Sequence, residues 1–218
     1  MGGIGMKKNC VRIILLSFIA VHLLAACSSK GSQSVNGNIP QKAEKKDELK
    51  GQLKLYKDFL QDKISSEDRK DKESHYLRDY CNVVVPEEDK DGIRYDLFDM
   101  TGDGIPELHV LTDISYSVHT IEGNRLVEWF DGDRYCRPLD NGAILQQVDS
   151  NDTTYIVLNA KGEEVFWTWF GKSGNDYRFS TGGDDVKLSK SQWEKLTEPF
   201  LSIGSDEITW KNYMNINF

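Results

Sequence analysis

Oxygen-bearing side chains recur at short, regular spacing in one stretch of the chain: Asp99, Thr101 and Asp103, then Glu107, with Gly104 directly after the third. A hard cation such as Ca²⁺ takes roughly six to eight oxygen ligands, and alternate residues of a tight loop can converge on one point. Gly104 suits the sharp turn this needs, because glycine adopts positive φ without steric cost. Ile105 would then offer its backbone carbonyl. A second reading of the same residues stays open, a β-turn in which Asp and Gly serve turn geometry alone.

An EF-hand would need a glutamate six residues after the glycine, where this chain has Val110, and a helix where Leu108-His-Val-Leu111 reads as a strand. The segment instead resembles the short calcium loops of FG-GAP and VCBS-type repeat proteins, D-x-[DN]-x-D-G-x-x-[DE] between two strands. It is especially similar to the DxxGDGxPEL segment of bacterial surface lipoproteins. The resemblance implies one structural calcium at residues 99–107, held by Asp99, Thr101, Asp103, Ile105 and Glu107. No second copy of the motif occurs, so a full propeller is not implied.

The start of the chain carries an independent signal. Lys7 and Lys8 precede the apolar run Ile13–Val21, which ends at Leu24-Ala25-Ala26-Cys27. The run is shorter than the ~20 apolar residues of a membrane span and ends in small residues, as a cleaved signal does. The tetrapeptide matches the lipobox of bacterial lipoproteins. That resemblance implies cleavage before Cys27, acylation of its thiol and anchorage on the extracytoplasmic face of the cell membrane. Residues 1–26 are thus expected to be a signal peptide, residues 27–45 a flexible tether rich in Ser, Gly, Asn and Lys, and residues 46–218 a single domain. Loss of the leader removes Lys7, Lys8 and Arg12 and no acidic residue, which moves the net charge from −8 to about −11. So acidic a chain, without a basic stripe, is not a nucleic-acid binder.

Those residues must be positioned by a scaffold. Leu49, Leu53, Tyr56, Leu60 and Ile64 recur at helical spacing and predict an amphipathic helix over about 45–64. The charged segment 65–74 reads as a solvated loop or the frayed start of another helix, and His75–Tyr80 as a helical turn before Val83-Val-Val85. From Ile93 onward short alternating strands are separated by turn pairs such as Gly123-Asn124, Asn151-Asp152 and Lys161-Gly162. Ser189 is a candidate N-cap for a last helix with Trp193, Leu196, Phe200 and Ile203 on its apolar face, which Pro199 should bend or end. The expected class is α+β, an antiparallel β-meander with an amphipathic helix at each end.

Other chemistry is sparse. Cys81 and Cys136 are the cysteines left outside the leader region, either a disulfide or two buried thiols. His109 and His119 would face each other if residues 113–115 turned a hairpin, and are read as polar residues on a solvent face. In Phe166-Trp-Thr-Trp-Phe170, alternation separates Trp167 and Trp169 from Phe166 and Phe170. One of these faces is core. The other is either covered by a terminal helix or exposed as a ligand platform. No nucleophile elbow or phosphate-cradling loop is present, and no catalytic residue is assigned. The expected function is a non-catalytic, calcium-stabilised binding or adhesion-type domain, a membrane lipoprotein facing an extracellular protein or glycan. An exposed Trp167/Trp169 face would favour a carbohydrate- or cell-wall-binding module. A concave pocket with two converging carboxylates would favour a secreted hydrolase.

Overall fold

The structure is a computed structural model that describes residues 40–81, 92–149, 151–213 and 216, with side chains from residue 50 onward. The expected signal peptide, Cys27, most of the tether, and the segments Val83–Val85 and Glu87–Asp91 lie outside the described residues. Lys42–Phe218 forms one compact unit.

The first helix, α1 (Pro40–Leu60), starts earlier than its apolar stripe and takes in residues 40–45 of the expected tether. It buries Gln52, Tyr56, Phe59 and Leu60, while Ile64 lies beyond its end. The charged segment after it is a turn only over residues 69–73. It forms β1 (Ser66–Asp68) and β2 (Ser74–His75), followed by a 3₁₀ turn over Leu77–Tyr80. Strand β1 gains its hydrogen bonds from a distant partner, which overrides the polarity of its own residues.

A run of strands follows: β3 (Arg94–Phe98), β4 (Glu107–Leu111), β5 (Ser115–Glu122) and β6 (Arg125–Asp133). Then come β7 (Cys136–Pro138), β8 (Ile144–Asp149), β9 (Asp152–Leu158), β10 (Glu164–Ser173), β11 (Asp176–Ser180) and β12 (Val186–Leu188). Helix α2 (Lys190–Leu201) and a two-residue strand β13 (Lys211–Asn212) complete the order. Mixed α+β is right, but one antiparallel meander is not. There are two sheets: one of seven strands, in the order β13-β3-β4-β5-β6-β1-β2, and one of six, β12 through β7. The second sheet is the expected meander. The first contains one, β3 to β6, but β1 joins its edge parallel to β6.

Four layers result. Tyr56, Phe59 and Leu60 of α1 pack on Tyr95, Leu108, Val110 and Leu126 of the first sheet. Tyr116 and Val118 on its other face meet Cys136, Ile144 and Ile156 of the second sheet. Phe200 and Trp193 of α2 cover Tyr155, Phe170 and Tyr177 on the outer face of that sheet. Ser189 caps α2 with a full capping box, as expected of its position. Pro199 sits in the last turn, where the helix runs only two residues further.

The hairpin between β4 and β5 corrects the histidine reading. Its turn has two residues, Asp113 and Ile114, because Thr112 N–H bonds to Ser115 C=O at 2.8 Å. That shifts the pairing by one residue: His109 opposes Val118 and His119 opposes Leu108. The rings therefore point to opposite faces of the sheet, and both are fully buried rather than solvated. His109 Nδ1 lies 2.7 Å from the Tyr116 hydroxyl and Nε2 lies 3.3 Å from the Phe98 carbonyl, while His119 sits between the hydroxyls of Ser117 and Ser66. Burial lowers the ring pKa to about 4 for His109 and about 3 for His119, so both are neutral.

Cys81 and Cys136 are free thiols in separate clusters, one under α1 and one between the sheets. No disulfide joins them, and burial raises both thiols, to about 11 and about 12.

Candidate functional site

Three places gather chemistry. The first is the loop between β3 and β4. Here φ is +73° at Gly102 and +89° at Gly104, the conformation the turn demands of glycine. Asp99 accepts the N–H groups of Gly102 at 2.8 Å, Asp103 at 3.1 Å and Gly104 at 2.7 Å, and Asp103 accepts that of Ile105 at 2.8 Å. The Thr101 hydroxyl points at Asp99 from 3.4 Å, and the Ile105 side chain is exposed. Glu107 is only 1% exposed, with the Met100 N–H on its Oε2 at 3.0 Å. Burial first, then the charges of Asp103 and Asp99, raise its carboxyl to about 7. Among the described residues no Lys or Arg ion-pairs with these three carboxylates. An all-oxygen set with uncompensated charge fits a hard cation in type. Its ligand atoms are not gathered, because Asp99 and Asp103 are turned onto backbone N–H groups.

The second place is the face of β10 opposite to α2. That helix covers Phe170 through Trp193 and Phe200, while on the opposite face Trp167 is 36% exposed and Trp169 half-buried. The Trp169 ring lies across Gly171, where a Cβ would come within 2.4 Å of the indole. Its Nε1–H donates to the carboxylate of Asp152. Glycine here makes room for a flattened indole, pinned at one edge. Asp149, Lys172, Asp176 and Arg178 stand around it in an open groove of about 400 Å³. Trp167 lies two residues along the same strand face, its Cα about 7 Å from that of Trp169 at ~3.4 Å per residue.

The third is a cleft of about 680 Å³ between the β1–β2 edge and the β9–β10 turn. Asp68, His75, Tyr80, Glu128, Trp129 and Asp131 line it. The parallel register sets Asp68 directly beside Glu128, and the two carboxyls hydrogen-bond. The Tyr80 hydroxyl also bonds to Glu128 Oε2. Burial raises the Glu128 carboxyl to about 7; the tyrosine bond opposes this, and the charges of Asp131 and Asp68 add to it. Burial works the same way on Asp68, but the N–H groups of Asp71 and Lys70 and the proton of Glu128 outweigh it and hold its carboxyl below the usual range. Glu128 is thus the proton carrier of the pair near neutral pH.

The sequence reading missed this cleft because Asp68 belongs to a segment read as a solvated loop or frayed helix start, and His75 to one read as a helical turn. One signal was present: Glu128 interrupts the apolar run Leu126-Val-Glu-Trp-Phe130, where a strand buried on both faces has no place for an unpartnered carboxylate. The fold does not bring the loop at 99–107, the tryptophan face and the cleft into one site. No known protein family matches the chain, and neither does any curated protein or solved structure.

Proposed function

We propose that the chain is a lipid-anchored, extracytoplasmic binding domain that holds a carbohydrate of the cell-surface type against Trp169 and Trp167. The observation that carries this reading is the pair of tryptophans left uncovered by α2, with the Trp169 indole laid flat over Gly171. A pyranose offers an apolar C–H face to such a ring, and its hydroxyls suit the planar polar side chains beside it, here Asp149, Asp152 and Arg178. Acylation at Cys27 would keep the domain on its membrane, since each buried acyl CH₂ contributes ~0.8 kcal/mol.

The test is sedimentation of the detergent-solubilised full chain with insoluble peptidoglycan, chitin and cellulose, backed by quenching of tryptophan fluorescence with soluble fragments. Trp169→Ala should weaken retention roughly 30-fold, the scale of a hot-spot tryptophan worth about 2 kcal/mol. Equal retention of wild type and Trp169→Ala on every polymer would refute the assignment.

In the same reading the 99–107 loop takes calcium. Asp99, Asp103 and Glu107 would supply carboxylates, Thr101 its oxygen and Ile105 its carbonyl, and the ion's part is structural. Three carboxylates place the site among weak extracellular ones, with Kd on the order of 10⁻⁴ M. At roughly 1 mM free Ca²⁺ this linkage adds about 1.4 kcal/mol, a few degrees of melting temperature. Asp103→Ala should abolish the difference between melts in calcium and in chelator. Identical wild-type melts in both would leave the loop a turn.

The paired carboxyls in the cleft are the observation that favours the rival reading, a secreted hydrolase. Their contact argues against glycoside hydrolysis, which needs carboxyl groups about 5 Å or more apart.

A further inference from the structure

We infer that Asp71, Glu73 and His75 form a binding site for a divalent transition metal of the zinc, copper or nickel type at the rim of the cleft. The chain leaves the turn through Lys72, at φ +67°, and enters β2, and this path brings the side chains of the pattern Asp-x-Glu-x-His together. One ligand atom from each lies within 4.8 Å of the other two, and among the described residues no other trio of His, Cys, Asp or Glu converges as closely. Tetrahedral zinc with bonds of ~2.1 Å has ligands roughly 3.4 Å apart, so exposed side chains need only rotate to close on the ion.

The donor set selects the metal. An imidazole nitrogen with two carboxylates suits zinc, copper or nickel, whereas calcium and magnesium prefer oxygen throughout. The histidine is held and available. Ser74 and His75 pair with Glu67 and Ser66 in the sheet, and the His75 ring stands edge-on to Tyr80 with centroids 6.2 Å apart. Among the described residues neither of its ring nitrogens has a hydrogen bond or ion pair. The ammonium of Lys72, between the two acids in sequence, is drawn to Glu67 at 3.5 Å instead of neutralising them.

Three protein ligands leave a zinc ion a fourth position, as in sites that take water or a ligand. His75 also lines the cleft with Asp68, Glu128 and Asp131, so that position borders the cleft. The site is distinct from the calcium loop in residues and in donor chemistry, and it does not depend on the carbohydrate reading.

Calorimetric titration of the detergent-solubilised full chain with Zn²⁺ alone, in excess Ca²⁺ to fill the 99–107 loop, tests the inference. The expected result is one saturable equivalent in wild type and in Asp103→Ala. His75→Ala should lower the affinity by about tenfold or more, since even residues that only support a metal ligand are worth 10- to 100-fold. The double variant Asp71→Asn, Glu73→Gln should do the same. All three ligands are at least partly exposed, so metal-free melts of these variants should match wild type and show that the fold is intact. Absence of saturable binding in wild type, or undiminished affinity in His75→Ala and in the double variant, overturns the site.

Discussion

Gly142→Ala should destabilise the domain by about 4 kcal/mol. The residue has φ +77°, and a Cβ there would stand 2.0 Å from the backbone oxygen of Met100. Left-handed backbone alone costs a non-glycine residue ~1–2 kcal/mol. Overpacking against a rigid neighbour adds ~1–3 kcal/mol, and a carbonyl cannot rotate away as the end of a long side chain can. The approach also ties two regions together, because Met100 opens the loop at 99–107 while Gly142 closes the turn from β7 into β8, with its N–H on Leu139 C=O at 2.9 Å. Gly123→Ala is the matched control. It shares the backbone problem at φ +67° but has no atom within 4 Å, so only the smaller cost should appear. Thermal melts should separate the two variants by roughly 4–12 °C at ~2–4 °C per kcal/mol for a domain of this size. Equal losses would mean that the Met100 contact relaxes freely.

What was legible in the sequence depended on how local its cause is. The capping box at Ser189, the glycine turn at 99–107 and the successive strands of the second sheet are each encoded within a few residues, and all are present. Strand β1 is not. Ser66-Glu-Asp68 has no strand propensity, and it becomes a strand because the edge of β6 offers hydrogen bonds to a chain leaving α1. The cleft arises from that pairing, which is why its residues could not be grouped beforehand. The histidines failed for a narrower reason. A turn of two residues instead of three moves every opposed pair by one, and each ring changes from an exposed to a buried setting. The tryptophan face was correctly separated from the phenylalanine face by alternation. Which one α2 would cover depended on Phe200 and Trp193 meeting Phe170 and Tyr177, a tertiary choice that periodicity does not contain.

Acidification from pH 6.5 to 4.5 should leave the stability of the wild type nearly flat, and Glu128→Gln should make it fall by about 2 kcal/mol. Two pairs of buried groups oppose each other in this window. His109 and His119 have folded pKa values of about 4 and about 3, below the ordinary 6.5. In that window the unfolded chain takes up their protons and the folded one does not, so each histidine removes about 1.4 kcal/mol of stability per pH unit as the pH falls. Glu107 and Glu128 have folded pKa values of about 7, above the ordinary 4.5. Their sign is reversed: the folded chain binds the protons first, and each carboxyl adds about 1.4 kcal/mol per unit until the unfolded chain is protonated as well. Two protons taken by the unfolded state balance two taken by the native state. Replacing Glu128 by glutamine deletes one native-state proton and leaves one histidine unopposed across two pH units. Above pH 7 the same variant should be more stable relative to wild type than it is at pH 5, because it no longer holds an ionised, buried carboxylate beside Asp68. His119→Gln should act in the opposite sense, gaining stability relative to wild type as the pH falls from 6.5 to 4.5. Below 4.5 the glutamates stop contributing while His119 continues to oppose folding, so the wild type should then lose stability toward pH 3. Urea titrations in chelator, which keeps Glu107 free of calcium, at half-unit intervals of pH provide the measurement. A wild type that loses about 5 kcal/mol between pH 6.5 and 4.5 would show that the glutamates are ordinary, and parallel profiles for wild type and Glu128→Gln would locate the buried proton elsewhere.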